Sequence, residues 1–269
     1  MKICHITTVH SRYDIRIYIK ECVSLFNAGH EVFLIVNDEL EDEVKNGIII
    51  KSIRMPEKNR LKRILFNSSR KKAYKFAKEI KADIYHFHDP ELLMLGKKLN
   101  KIGFKVIYDS HEDVPRQILG KTWIPSIFRP VISRIFEKYE NKCSKKLDAI
   151  ITPTPKLKER FDKYNESVWA VSNFPSTKDI KYSGGIYSNL NPACYIGGLT
   201  YNRGIMQIAE ATHRSNIKLN LCGSFQSEGL KKELFEKYSN VEYLGILNRE
   251  EISRVLSCSS IGFVTLLNT

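Results

Sequence analysis

Histidine and carboxylate residues gather in two short runs, His88-Asp89-Pro90-Glu91 and Asp109-Ser110-His111-Glu112-Asp113. Imidazole and carboxylate groups held together can exchange protons near neutral pH, orient one another and meet polar ligands. Each run follows an apolar segment of strand character, Asp83 to Phe87 and Phe104 to Tyr108. In an open parallel sheet the carboxyl ends of the strands line the ligand crevice, so these groups are expected to converge where binding occurs. His111 is the candidate for chemistry. For His88, Asp89 and Glu91 a helix start is the competing reading, with Pro90 in the first turn and an acid near the positive end of the helix dipole. His5 and His30 read as structural.

The elements that must position these groups alternate from the first residue. Lys2 to Thr7 reads as a strand, Ile15 to Ala28 as an amphipathic helix stopped by Gly29-His30, and Glu31 to Val36 as the next strand. The alternation continues through strand 47–54, helix 67–80, strand 83–87, helix 91–101 and strand 104–108, then a long helix 126–145, strand 148–152, helix 155–164 and strand 167–171. A parallel, doubly wound sheet is expected. From Ser172 to Pro192 the chain reads as a linker, and a second alternation then runs from strand 193–196 to strand 261–266. The expected division is a domain over 1–172, a linker over 173–192 and a second domain over 193–269.

The chain of 269 residues carries a formal charge of +13, and much of the excess lies between Arg54 and Lys81. Such a face suits an anionic membrane surface or a diphosphate-bearing small molecule; with no nucleic-acid motif present, nucleic acid is not the expected partner. No apolar run reaches the ~20 residues that span a bilayer, so the expected location is cytoplasmic, with peripheral contact at the inner membrane face. The six cysteines are scattered without a Cys-x-x-Cys pair and read as buried free thiols. The segment from Trp123 to Phe136 mixes apolar and basic residues at helical spacing; core packing is the default, and with 54–81 it offers a membrane surface over 121–146.

In the second half, Gly197-Gly198 follows a strand and Arg203-Gly204 precedes a helix, a loop suited to anions because backbone N–H groups, the helix dipole and a guanidinium converge. Gly223, in Leu221-Cys222-Gly223-Ser224, ends the next strand and is placed beside the same ligand. These runs, with Val241-Glu242-Tyr243-Leu244-Gly245 and Glu250-Glu251-Ile252, resemble the donor half of the retaining nucleotide-sugar glycosyltransferases of family 4. Asp14-Ile15-Arg16, Gly29-His30-Glu31-Val32, His88 to Glu91 and Tyr108 to Asp113 are similar to the acceptor half of the same family, particularly members that build bacterial surface polysaccharides such as capsule and lipopolysaccharide.

The resemblance implies an α/β fold of two Rossmann-like domains in the GT-B arrangement, facing across a cleft. It implies transfer of a hexosyl-type group, with retention, from a nucleotide-diphosphate sugar to a lipid-linked or oligosaccharide acceptor. The nucleotide sugar enters as substrate, with no cofactor and no metal; a metal set of His86, His88, Asp89 and His111 is set aside because the family needs none there. His111 matches the histidine that reaches the donor sugar, and Arg203 the residue that pairs with the diphosphate. Gly198 stands where the family often has arginine, and Thr7 to Ser11 replaces a Gly-Gly turn, which leaves Arg16 as an alternative anion contact. The family's Glu-containing donor motif does not follow Thr269, so the second domain is expected to be incomplete, and apolar faces near Ile261 to Leu267 to be exposed. An inactive truncated remnant or a partner subunit that keeps acceptor or membrane binding is the rival reading. A Rossmann oxidoreductase is less favoured, since no Gly-x-Gly-x-x-Gly follows the first strand.

Overall fold

The computed structural model describes residues 1–55, 68–121, 123–175 and 191–267. The chain divides into two compact units, Met1–Asn173 and Phe174–Thr269.

In the first unit β1 (Lys2–Ile6), β2 (Glu31–Val36), β3 (Glu43–Lys45), β4 (Ile48–Ser52), β5 (Ile84–Phe87), β6 (Lys105–Asp109), β7 (Ala149–Thr152) and β8 (Val168–Ala170) form one sheet in the order β3-β4-β2-β1-β5-β6-β7-β8. All neighbours are parallel except β3 and β4, an antiparallel hairpin that the strand pattern did not predict. The chain winds outward from β1 through β2 in one direction and from β5 through β6 in the other, so the switch point lies between β1 and β5.

Strand side chains alternate between faces. Cys4, Ile6, Phe33, Ile35, Tyr85, Phe87, Val106 and Tyr108 therefore share one core with residues of helices α2 (Ser68–Ile80), α3 (Leu93–Lys101), α5 (Arg129–Ser144) and α6 (Pro155–Asp162). The opposite face carries Val32, Leu34, Val36, Ile48 and Ile50 against Ile17, Tyr18 and Cys22. Those last residues lie on a π-helical segment, Ile15–Cys22, that continues into α1 (Val23–Asn27). A short helix α4 (Val114–Leu119) was not predicted.

The second unit has a parallel sheet in the order β11-β10-β9-β12, from β9 (Ala193–Ile196), β10 (Leu219–Cys222), β11 (Val241–Gly245) and β12 (Ile261–Gly262). Its helices are α7 (Ile205–Arg214), α8 (Glu228–Lys237) and α9 (Arg249–Ser257), the last opened by a capping box between Asn248 and Glu251. The last strand is shorter than the predicted 261–266, and Val264 and Leu266 are exposed.

The expected core role of the 123–136 segment holds for the buried Ile124 but not for most of its apolar residues. Trp123, Ile127, Phe128, Val131, Ile132 and Ile135 are all exposed, because α5 turns Ser133, Glu140, Cys143 and Ser144 inward instead. Of the basic stretch, residues 56–67 lie outside the described residues. Among the described ones, Lys71, Lys75, Lys78 and Lys81 are exposed, while Arg54 pairs with Glu41 and Lys72 Nζ donates to the Ile53 carbonyl at 2.6 Å. Cys4, Cys22, Cys143, Cys194 and Cys222 are buried free thiols, and Cys258 is exposed. No helix among the described residues is long and apolar enough to cross a membrane.

Candidate functional site

The alternation that sends Cys4 and Ile6 into one core sends His5 to the other face, beside its register partner His86. His88, two residues on, follows His86 to the same side. The three rings pack with centroids 4.6 Å apart for His5 and His86, 4.6 Å for His86 and His88, and 5.2 Å for His5 and His88. At the switch point, a buried face that would ordinarily be apolar is imidazole. His5 Nδ1 and His88 Nε2 share a hydrogen bond of 3.0 Å, His88 Nδ1 and His111 Nε2 one of 3.2 Å, and His111 Nε2 lies 3.1 Å from Asp109 Oδ2. A polar chain thus leads from the interior to His111.

The helix covering this face supplies the remaining charges. Arg16 Nε and Nη2 donate to the two oxygens of Asp109, each at 2.9 Å, and Nη1 donates to the Val171 carbonyl at 3.1 Å. Glu21 Oε1 lies 3.2 Å from Arg16 Nε. On an α-helix, residues five apart point about 140° away from each other. The wider π-helical turn brings Arg16 and Glu21 to one side, and such turns concentrate at functional sites.

Burial and pairing set the protonation states. Burial pushes Glu21 up to about 9, and the nearby Asp109 charge adds to this. Burial holds His5 and His88 below the usual imidazole range and takes His86 down to about 3. Burial pushes the Asp109 carboxyl up, but bonds from His111 and His88 overcome this and hold it well below its ordinary value. In this cluster Arg16 and Asp109 therefore face each other as an ion pair, beside imidazoles held toward the neutral form and a Glu21 held toward the protonated one. Removing either member of that pair would leave an uncompensated charge, at a cost of about 3–5 kcal/mol.

Asp89 and Glu91 fasten the loop after β1. Asp89 Oδ2 accepts from Thr7 Oγ1 at 3.0 Å, from the Thr8 amide at 2.5 Å and from Thr8 Oγ1 at 3.1 Å, and Glu91 Oε1 accepts from Thr8 Oγ1 at 2.7 Å. From the other side Arg12 Nε and Nη2 donate to Asp38 at 2.7 and 2.8 Å, and Nη1 to Glu43 at 2.8 Å. His10 stands on this loop, its ring centroid 4.8 Å from that of His111, with Asp14 and Asp89 on either side. His10 and His111 are the partly exposed imidazoles of the cluster.

In the second unit the two glycine turns touch backbone to backbone. A Cβ on Gly223 would lie 1.9 Å from the Gly197 carbonyl oxygen, so only glycine fits, and its φ of +135° favours the same residue. The Gly197 amide donates to the Cys222 carbonyl at 2.9 Å and that of Gly223 to Gly245 at 2.7 Å. Gly204 is left-handed, φ +69°, at the N-cap of α7. Thr200 Oγ1 accepts from the Arg203 amide at 3.2 Å, and the Arg203 side chain is exposed, with no ion pair among the described residues. Two close-packed glycine turns, the amino end of a ten-residue helix and an exposed guanidinium occupy the carboxyl end of this sheet.

The family model described as Glycosyltransferase Family 4 matches residues 18–174. The chain belongs to glycosyltransferase family 4. Solved structures share its two-domain Rossmann-like, GT-B fold. For sucrose-phosphate synthase from Thermosynechococcus elongatus the TM-score is 0.78 at 13% identity, covering 98% of this chain and 75% of that one. For the lipopolysaccharide outer core galactosyltransferase WaaB it is 0.61 at 15%, covering 99% and 74%. For UDP-GlcNAc 2-epimerase from Neisseria meningitidis bound to UDP-GlcNAc it is 0.57 at 11%, covering 97% and 76%. No curated protein sequence matches.

For this glycosyltransferase the structure brings His88, Asp89, Glu91, His111 and Arg16 together in the first unit, and Gly197, Gly198, Gly223, Arg203 and Gly204 at one sheet end in the second. Arg16 is buried and already forked on Asp109. His5, read from sequence as structural, joins the first cluster, as do Glu21 and His10, which were not singled out from sequence. His10 had a usable signal, its place just past the carboxyl end of β1. Glu21 had none at α-helical spacing.

Proposed function

We propose that this family 4 chain transfers a hexosyl-type group from a nucleotide-diphosphate sugar to a lipid-linked or oligosaccharide acceptor, with retention at the anomeric carbon, in building a surface polysaccharide. The observation that carries the reading is the pair of glycine turns, Gly197 against Gly223, beside the amino end of α7 and Arg203. Close-packed glycines leave backbone open to a diphosphate, and the helix dipole and guanidinium stabilise the charge that develops as it leaves. The acceptor hydroxyl attacks from the face the diphosphate departs, His111 orients the donor, and the donor enters as substrate without a separate cofactor. The epimerase of like fold binds UDP-GlcNAc, which supports a donor of that class. The outward apolar residues Trp123, Ile127, Phe128, Val131 and Ile135, with exposed Arg134, support acceptor capture at an anionic membrane surface.

Calorimetric titration with UDP, GDP and their sugars tests the donor site. A charge-assisted contact is worth roughly 1.5–3 kcal/mol, so Arg203→Ala should weaken the nucleotide that binds by about tenfold to a hundredfold. Unchanged affinity in a folded Arg203→Ala variant would overturn the cradle, and absence of any nucleotide binding beside intact membrane binding would favour the remnant reading. His111→Ala should lower turnover far more than donor affinity; equal turnover would remove it from the reaction.

A further inference from the structure

We propose that His5, Glu21, His86 and His88 form a divalent-metal site of zinc type beneath the candidate active site. The four side chains come from β1, the π-helical segment, β5 and the residue after it, and each offers a ligand atom within 4.8 Å of the others. Three of these atoms form a tight triangle: His5 Nδ1 to His88 Nε2 is 3.0 Å, His5 Nδ1 to Glu21 Oε2 is 3.7 Å and His88 Nε2 to Glu21 Oε2 is 3.8 Å. Ligands held at about 2.1 Å from one ion stand roughly 3.0 Å apart at an octahedral edge and roughly 3.4 Å at a tetrahedral one, so the triangle is near ligand spacing and His86, within 4.8 Å of the others, would draw inward to complete the set.

Burial points the same way. Glu21 Oε2, already part of that triangle, and His86 Nε2 are buried with no hydrogen-bond partner among the described residues, and His86 as a whole is only 6% exposed. A buried polar atom without a protein partner is one that a bound water or ion can satisfy. Imidazole nitrogen with one carboxylate suits zinc rather than magnesium or calcium, which prefer all-oxygen sets. His88 keeps its other nitrogen, Nδ1, 3.4 Å from Asp109 Oδ2, the carboxylate contact that orients a metal-bound histidine. The neighbouring set His88, Asp109 and His111 is less suited, because both Asp109 oxygens already accept from Arg16. With His5 and His88 buried and Glu21 mostly covered, the ion would have no open position for substrate. It would be a structural fastener, tying the covering helix to β1 and β5 and fixing His88, hence His111.

The test uses the full chain, treated with chelator, dialysed and titrated with Zn2+ alone, with metal content and thermal midpoint measured in parallel. The expected result is one equivalent per chain, a raised Tm, and a loss of affinity of at least about tenfold in Glu21→Gln and His86→Gln variants whose circular dichroism matches the parent. Cys258→Ser, which removes the exposed thiol, should bind as the parent does. Should the first two variants fail to fold, the Co2+ absorption spectrum of the parent decides: nitrogen and oxygen ligation without a sulfur-to-cobalt band is expected. No stoichiometric binding, parent-like affinity in both folded variants, loss in Cys258→Ser, or a sulfur-to-cobalt band would each overturn the site.

Discussion

His10 lies between two carboxylates, Nδ1 at 3.6 Å from Asp14 Oδ2 and Nε2 at 3.5 Å from Asp89 Oδ1. The adjacent Asp14 carboxylate raises its pKa above the usual imidazole value, against burial and with help from the charges of Asp89 and Glu112. A raised histidine contributes stability that is complete below the unfolded value and disappears as pH climbs through the folded one. Asp14, held well below its usual value chiefly by the adjacent His10 imidazole, contributes above the ordinary carboxylate range and loses that contribution only in strong acid. His10→Ala should therefore lower the urea midpoint more at about pH 5.5 than at about pH 8.5. An equal drop at both would show that the His10–Asp14 pair contributes nothing. Asp14 also accepts from the Arg16 and Ile17 amides as helix cap, so Asp14→Ala should cost stability at both pH values.

Between elements, Glu140 of α5 joins β6 and α6, accepting from Tyr108 Oη at 2.9 Å and from Arg160 Nη2 at 2.6 Å. Glu140→Ala leaves the Arg160 guanidinium poorly compensated and should destabilise the first unit by about 3–5 kcal/mol, whereas Glu140→Gln, whose single amide oxygen can accept from Arg160 while its NH2 donates to Tyr108 Oη, should cost less. Chemical denaturation of the two variants checks the order. Most strands were legible because β2, β6 and β7 are short apolar runs, and β1 and β5 apolar runs broken only by His5 and His86, each ended by polar or glycine residues. The hairpin of β3 and β4 was missed because Glu43 and Lys45 break any apolar pattern, although Asn46-Gly47, both with positive φ, carried the turn signal. Helix α4 is short and opens with Pro115 in its first turn, leaving too little periodicity to read. His88 and His111 were legible from their places at strand ends. His5 was read as structural because it sits within an otherwise apolar strand, and the part of Glu21 depends on a π-helical turn that no 3.6-residue pattern reveals. The outward stripe of α5 was misread because a helix contacting the core through Ser133, Glu140 and Cys143 has the same spacing as one that buries its apolar side.

For the whole molecule, the net charge of +13 and the exposed apolar stripe make one expectation about surfaces. Sedimentation with anionic vesicles should carry the chain down and neutral vesicles should carry less, with the difference shrinking as salt rises. Ile127→Asp with Phe128→Asp should reduce binding to both kinds, since the apolar part of the attraction scales with buried area. Equal binding to anionic and neutral vesicles would remove the electrostatic share, and no effect of the double substitution would remove the apolar one. The segment from Thr7 to Arg12 is riveted from two sides, to the residues after β5 through Asp89 and Glu91, and to the β2–β3 connection and the start of β3 through Asp38 and Glu43. An incoming molecule would meet a mouth already set in shape, with little disorder to surrender on arrival. In deuterated solvent the Thr8 amide should accordingly exchange as slowly as those of the strands beneath it.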